Sequence, residues 1–397
     1  MRVPYVPLGR IARIRRGASP RPIRDPKWFA DSGRGWVRIS DVTASNGVLT
    51  KTEQYLSSDG VSKSVPVDPG DLILSICATI GVPVVIGIPA CIHDGFVVMR
   101  DYEKSLDRQF LYYYLLSMRD RLAHGGQPGT QRNLNTSIVS KIDIPLLPLP
   151  EQRKIAEILG TWDEAITLVE RRLAAARARK QGLMQRLLTG QVRFPGFTEP
   201  WREVRLGEVA TINAEQLGES TPPDARFRYI ELSAVSEGEI SLPDEPEPFS
   251  ALPSRARRIL HRNDVIMATV RPYLRGFALC DFDSDHLICS TGFALLSPDD
   301  LRDAEFVYQS LYSDALLAQM HGRVTGSNYP ALNGSDVAAL ELAWPADNNE
   351  RWCISAVLEA CDDEVGLLTR KLAALQAQKK GLMQRLLTGE VRVGRMQ

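Results

Sequence analysis

The side chains best suited to gripping another molecule lie in two polar loops and two runs of arginine. Gln127, Gln131, Arg132 and Asn133 sit in and just after a Gly-rich stretch, and Arg323, Ser327, Asn328 and Tyr329 occupy a similar stretch in the second half of the chain. Arg, Gln and Asn can make paired hydrogen bonds to purine edges, and Gly lets a backbone come close to phosphate. A polar surface loop has the same composition, so both readings stand. Arg13, Arg15, Arg16, Arg21, Arg24 and Lys27 crowd the start of the chain with Asp25 alone among acids between them. Arg255, Arg257, Arg258, Arg262, Arg271 and Arg275 fall within 21 residues that hold a single acid, Asp264. A concentrated positive stripe is what tracking a phosphate backbone requires; solvated arginines paired with nearby acids are the plainer alternative.

Residue sets for bond-making chemistry are missing. There is no G-x-x-x-x-G-K-[ST] loop, no G-x-G-x-x-G after a strand, no G-x-S-x-G and no H-E-x-x-H. Thr221-Pro222-Pro223-Asp224 lacks the pattern with which an amino-methyltransferase grips a base, and no Asp…Glu-x-Lys nuclease triplet sits on consecutive strands. Of His93, His124, His261, His286 and His321, only His124 and His321 correspond between the two halves, and a loop role is expected for them. Cys77, Cys91, Cys280, Cys289, Cys353 and Cys361 show no zinc spacing and read as reduced, mostly buried thiols. The expectation is a protein that binds and does not catalyse, with no metal or cofactor of its own.

A chain of 397 residues that is 44% hydrophobic is long enough for two cores. Its 48 basic and 48 acidic residues cancel, but unevenly: residues 1–150 carry +6, 151–197 +4, 198–345 −11 and 346–397 +1. An anionic ligand of the third segment must therefore meet a local basic patch. The N-terminus has no signal-peptide pattern and no apolar run has membrane-spanning length, so a cytoplasmic protein is expected.

Two stretches must position these side chains. Residues 151–190 and 350–389 superpose at a constant offset of 199, and Gly182-Leu183-Met184-Gln185-Arg186-Leu187-Leu188-Thr189-Gly190 recurs as Gly381-Leu382-Met383-Gln384-Arg385-Leu386-Leu387-Thr388-Gly389. The first carries Ile155, Leu159, Trp162, Ile166, Val169, Leu173, Ala176, Leu183 and Leu187 at heptad spacing; the second carries Ile354, Leu358, Cys361, Val365, Leu368, Leu372, Leu375, Leu382 and Leu386. Lys180 and Lys379 interrupt the two seams at the same place. Such a seam has to be buried against another helix. Helices of about forty residues, roughly 60 Å long, are expected to pair with each other as an antiparallel intramolecular coiled coil.

The doubling extends further. Leu8-Gly9 recurs as Leu206-Gly207, Gly70-Asp71-Leu72-Ile73 as Asn263-Asp264-Val265-Ile266, and Gly95-Phe96 as Gly292-Phe293, so one unit of about 200 residues is used twice. Each copy reads as short strands (36–42, 72–76, 84–88, 96–98 and 142–144; then 229–232, 265–270, 276–280 and 293–296) with a helix over 107–122 or 303–319. The expected class is α+β: two duplicated mixed α/β domains joined by the helix pair. Its segments are 1–150, a first domain; 151–190, a helix; 191–349, a linker and second domain; 350–389, a helix; and 390–397, a tail. Antiparallel pairing would throw the two domains to opposite ends of the rod, like a caliper.

This layout resembles the specificity (S) subunit of type I restriction-modification enzymes, and the resemblance covers the whole chain. It is most specific at Pro148-Leu149-Pro150-Glu151-Gln152-Arg153-Lys154-Ile155-Ala156 and at Gln185 to Gly190; Arg351 departs from it by standing where Gln152 does. The resemblance implies two target-recognition domains, each reading one half of a split, asymmetric sequence in double-stranded DNA, with the helix pair setting the gap. It also implies two modification (M) subunits that hold S-adenosylmethionine and restriction (R) subunits that use ATP and Mg, while this chain binds no cofactor. A scaffold or decoy that holds M subunits without reading sequence is the alternative.

Overall fold

The computed structural model describes residues 3–124, 134–282, 286–324 and 330–393. It divides into two compact units, Met1–Glu170 with Arg370–Gln397, and Arg171–Thr369. Each unit therefore draws on both long helices.

In the first unit one sheet runs in the order Arg13–Arg16, Phe96–Arg100, Leu72–Ser75, Pro83–Ile86, Val48–Leu49. A second runs Phe29–Ala30, Gln54–Leu56, Arg34–Val37, Ala90–Ile92, Val65–Val67. The central strands of the first sheet are buried on both faces, and their period of two sorts the residues. Ile73, Phe96 and Val98 pack with Val37, Val65 and Ile92 of the second sheet. Leu72, Leu74, Val97 and Met99 face Phe110, Leu111, Ile155, Leu159 and Leu386 on the helices. Tyr5–Pro7 pairs antiparallel with Asp143–Pro145 and ties the N-terminal stretch to the approach of the first long helix.

The second unit repeats the plan with sheets of four strands. One is ordered Thr211–Ile212, Phe293–Ser297, Val265–Ala268, Phe277–Leu279, and the other Glu247–Pro248, Arg226–Ile230, Leu287–Ser290, Ala256–Ile259. Arg202–Arg205 pairs with Glu341–Trp344 as its counterpart strands do in the first unit.

The long helices span Leu149–Leu187 and Asn348–Leu387. Within the first unit they run antiparallel: Ile155 and Leu159 share a core with Met383, Leu386 and Leu387, and the Lys379 ammonium donates to Asp163. Within the second, Met184, Leu187 and Leu188 share a core with Ile354 and Leu358, and Lys180 donates to Asp362 at 2.5 Å. Asp362 lies 199 residues beyond Asp163, as Lys379 does beyond Lys180, so the two seam lysines serve matching aspartates. Ile155, Leu159, Val169, Leu173, Leu187, Ile354, Leu358 and Leu386 are buried; Trp162, Ile166, Leu183, Val365, Leu368, Leu372, Leu375 and Leu382 are partly so. Past the lysines the seam steps to Met184 and Met383, because a straight helix of 3.6 residues per turn drifts from a strict heptad, and Leu183 and Leu382 flank it.

The helix ends are fastened in the same way in both units. Arg392, just past the second helix, grips Glu151 with its Nε at 2.7 Å and Nη2 at 2.5 Å, and holds that carboxyl below its ordinary range. Arg193, just past the first, grips Glu350 at 2.8 Å with each nitrogen, and the Trp201 indole adds a bond at 3.0 Å. Gln152 is fully buried: its amide donates to Ser105 O and Leu147 O and accepts from the Asp107 N–H. Arg351 does the matching job by other means. It donates to Pro345 O at 2.7 Å and to the Asp303 carboxylate at 2.6 Å, and lies over the Trp344 ring.

Local structure differs from the sequence expectation in three places. The expected strand 36–42 ends early, because Asp41 accepts the Arg38 N–H (2.8 Å) and caps a helix, Ile39–Ala44. The single helices expected over 107–122 and 303–319 are each two: Arg108–Ser117 and Arg119–His124, and Leu301–Leu311 and Asp314–Arg323. In the second case Ser313 caps the new helix by accepting the Leu316 N–H.

Candidate nucleic-acid interface

At one end of the first unit, backbone bonds gather four segments. Ile76 N–H donates to Gly95 O (2.8 Å), Leu134 N–H to Ile76 O (3.0 Å) and Gly17 N–H to Phe96 O (2.9 Å). Residues 76–82, 93–95 and 16–19 thus form one rim, and Leu134 is tied to it. The second unit has the same rim. Thr269 N–H donates to Gly292 O (2.9 Å), Leu332 N–H to Thr269 O (3.0 Å) and Arg271 N–H to Pro330 O (2.9 Å). Ala78 and Arg271 occupy the matching turn position with left-handed φ of 56° and 51°. A non-glycine residue there signals a turn held by its surroundings.

The predicted residues distribute unevenly over these rims. Gln127, Gln131, Arg132, Asn133, Ser327, Asn328 and Tyr329 lie outside the described residues; the positions that frame them, Leu134 and Pro330, are on the rims. Arg16 donates to Asp94 O at 2.8 Å, Arg21 meets the Asp94 carboxylate at 3.2 Å, and Ser19 donates to it at 2.6 Å. The Ser19 bond holds the Asp94 carboxyl below its usual range, with Arg21 adding to it. Both arginines remain exposed, as do Arg15 and Arg24. Arg13 is at the far end of its strand, 3.6 Å from Asp101.

In the second unit Arg255 donates to the Tyr229 hydroxyl (3.1 Å), and the Thr291 N–H bonds to the Arg255 carbonyl, which sets Arg255 on the rim. Arg258 reaches Thr291 O, and burial pulls its guanidinium below its ordinary value. Arg257 turns onto the Phe249 ring, 4.8 Å from its centroid. Arg323 is occupied by Gln319 and Ala339 O, inside the helix junction. Arg271 and Arg275, both left-handed, bracket a short 3-10 turn, Pro272–Leu274. Tyr273 and Leu274 on that turn are 47% and 67% exposed, and Tyr273 stacks on His321. Sequence reading missed this pair; the cue was an aromatic and a leucine between two arginines where a hairpin turn was due. The two arginine clusters are not copies: the first rides the edge strand Arg13–Arg16, the second the strand Ala256–Ile259.

Among the described residues, the histidine and cysteines nearest the first rim's backbone and the paired strand of the second unit are held by burial. His93 accepts the Gly95 N–H on Nδ1 at 2.8 Å, and burial lowers its ring below the ordinary histidine value. Burial pushes the Cys91 thiol up to about 11 and the Cys289 thiol up to about 12, far from thiolate chemistry. Among the described residues no group of three or more His, Cys, Asp or Glu is placed to hold a metal ion, and no helix is long and apolar enough to cross a membrane.

Two α/β units on one plan, each completed by parts of both long helices, define a duplicated, helix-sharing class of protein. Residues 6–177 match the family described as type I restriction modification DNA specificity domain. The chain is 22% identical over 350 residues to the specificity subunit of the type I restriction enzyme MjaVIII of Methanocaldococcus jannaschii, covering 84% of this chain and 81% of that protein. A putative type I restriction enzyme MjaX specificity subunit from the same organism is 28% identical over 318 residues, covering 75% and 72%. In fold, the chain resembles the type I restriction-modification S subunit from M. genitalium, with a TM-score of 0.61 at 14% identity over 97% and 96% of the two chains. It also resembles a chain from a structure concerned with complex assembly and conformational transition of the type I R-M system, with a TM-score of 0.59 at 20% identity over 98% and 100%. The chain is thus similar in sequence and fold to type I restriction-modification specificity subunits along most of its length, and residues 6–177 match their DNA specificity domain.

Proposed function

We propose that the chain reads a bipartite, asymmetric sequence in double-stranded DNA, one half with residues 1–150 and the other with residues 191–349, and catalyses nothing itself. The observation that carries this is a rim built on the same backbone plan in both units but furnished with different arginines and turn side chains. Equal scaffolds with unequal rims suit two readers of two different half-sites. Base-edge contacts come from the rims and the polar loops they frame, and phosphate contacts from the exposed arginines. The shared helices serve as spacer and, with the domains, as a dock for two M subunits carrying S-adenosylmethionine and for R subunits using ATP and Mg.

Exchanging residues 1–150 for those of another family member, with the modified sequence then mapped in a host that also carries the M subunit, tests the reading. One half of the sequence should change and the other stay. A change in both halves defeats the two-reader assignment, and modification without sequence preference favours a scaffold that does not read.

A further inference from the structure

A cavity of about 300 Å³ opens in the second unit between the helix Leu301–Leu311 and the early part of the second long helix. Glu305, Glu359 and Asp363 bring carboxylates to its wall. Three side-chain oxygens on the same wall, Gln309 Oε1, Ser355 Oγ and Asn263 Oδ1, are buried without a hydrogen-bond partner among the described residues. Gln309 is 2% exposed and Ser355 1%. Buried polar atoms in folded proteins are nearly always satisfied, so three on one wall call for a donor from outside. The Gln309 amide nitrogen is already used, donating to Asp362 at 2.9 Å. Turning the amide over would set its oxygen against that carboxylate, so the oxygen is left for the cavity. Asp362 is in turn taken by Lys180, and Arg262, also on the wall, is engaged. Burial, together with the charge of Glu359, raises the Glu305 carboxyl above its ordinary value against the opposing charge of Arg302.

The first unit supplies a control. Its Tyr113 hydroxyl donates to Asp163 at 2.7 Å as Gln309 does to Asp362, and a Cβ added to Gly47 would strike the Tyr112 hydroxyl as one on Gly238 would strike that of Tyr308. The pair Tyr112-Tyr113 therefore matches Tyr308-Gln309. At the same offsets Gln109 stands for Glu305, Ala156 for Ser355 and Gly160 for Glu359. The second unit has two carboxylates the first lacks, and bare oxygens where the first has a tyrosine and a methyl.

We propose that this cavity is a binding site for a guanidinium group. A planar cation with five donors in a fixed fork can serve carboxylates and the Gln309 and Asn263 oxygens together, whereas an ammonium offers three donors from one point. Two probes separate the sources of such a group: agmatine, a free guanidinium on an alkyl chain, and the blocked tripeptide Ac-Gly-Arg-Gly-NH2. Titration calorimetry on the full chain should show saturable binding of at least one probe. Glu305→Gln and Glu359→Gln, each removing a charge-assisted contact, should weaken it about tenfold. Gln309→Tyr, which restores the first unit's residue and its donor to Asp362, should abolish binding by filling the space. Ser355→Ala, the first unit's methyl, is the milder companion should that variant fold poorly. Tripeptide binding as tight as agmatine assigns the site to an arginine of a partner protein, and agmatine binding alone assigns it to a small free cation. No saturation by either probe, affinity unmoved by these variants, or a cavity holding only ordered water in a crystal grown with agmatine would overturn the assignment.

Discussion

Lys379 is 9% exposed, its ammonium bonded to Asp163 and 5.3 Å from the centre of the Tyr113 ring. Asp163 keeps 43% of its side chain exposed and also accepts the Tyr113 hydroxyl. The two partners should therefore differ in what their loss costs. Asp163→Ala strands a buried ammonium; the ring face and the half-open neighbour moderate this to about 3 kcal/mol, the low end for a broken buried pair. Lys379→Met keeps the volume and leaves a carboxylate that water can reach, so about 1 kcal/mol is expected. The double variant removes both charges and should cost no more than about 1 kcal/mol, giving a coupling of about 3 kcal/mol. Native-state hydrogen exchange is the assay, because amides of the first unit report its opening apart from that of the second. The cycle at Lys180 and Asp362 should register on second-unit amides in the same way. Equal costs from both partners, or a coupling under about 0.5 kcal/mol, would show that the lysine lies along the seam without being held by the aspartate.

Three further outcomes follow from the same geometry. The Glu151 carboxyl is held low by Arg392, so its contribution is complete above the unfolded value of about 4.3 and is lost as pH falls through the lower folded value. Arg392→Gln should lower first-unit stability at neutral pH and flatten its acid limb below about pH 4; an unchanged limb in an acid titration of hydrogen exchange refutes this. Arg275→Ala should weaken DNA binding and reduce the salt slope by about 1 without lowering the melting temperature, and a slope that stays put removes the turn from the interface. Deleting the heptads 168–174 and 367–373 keeps both Lys–Asp pairs and shortens each helix by roughly 10 Å. The gap in the recognised sequence should shrink by about three base pairs, or binding should fail; an intact gap rules out a spacer role.

The long helices were legible because a heptad seam repeated at an offset of 199 leaves few other arrangements, and the repeated Lys180 and Lys379 marked a shared feature before any partner was known. Their partners were not legible. Nothing local distinguishes Asp163 from Glu164, or Asp362 from Asp363, until antiparallel pairing sets which one faces the lysine. Gln152 could be seen as distinctive, yet its three bonds depend on Ser105, Asp107 and Leu147 arriving from another part of the chain. On the rims, sequence reading located arginines by density. Density does not separate Arg255, on the rim, from Arg257, turned onto Phe249: Arg255 stands just before the strand Ala256–Ile259, and the pairing register of that strand shifts between Ala256 and Arg258. Arg323 shows the limit most plainly: a polar loop residue by composition, it is spent inside a helix junction.

Comparing the two copies within the chain separates constraint from freedom. Positions identical at the 199 offset include both Lys–Asp pairs and both Glu–Arg clasps, which fasten one helix's start to the other helix's end inside a unit. At the neighbouring position the two copies reach the same end differently: Gln152 accepts the Asp107 N–H, while Arg351 donates to the carboxylate of Asp303, the residue that corresponds to Asp107. Rim positions carry partners that differ between the units: Arg21 meets the Asp94 carboxylate in the first, and Arg255 donates to the Tyr229 hydroxyl in the second. Ala78 and Arg271 hold the same left-handed turn with side chains that share no chemistry, so the backbone bonds, not the side chains, keep the turn in place. A rim can thus change what it touches while the clasps below it stay fixed, which is what a reader exchanged between targets requires.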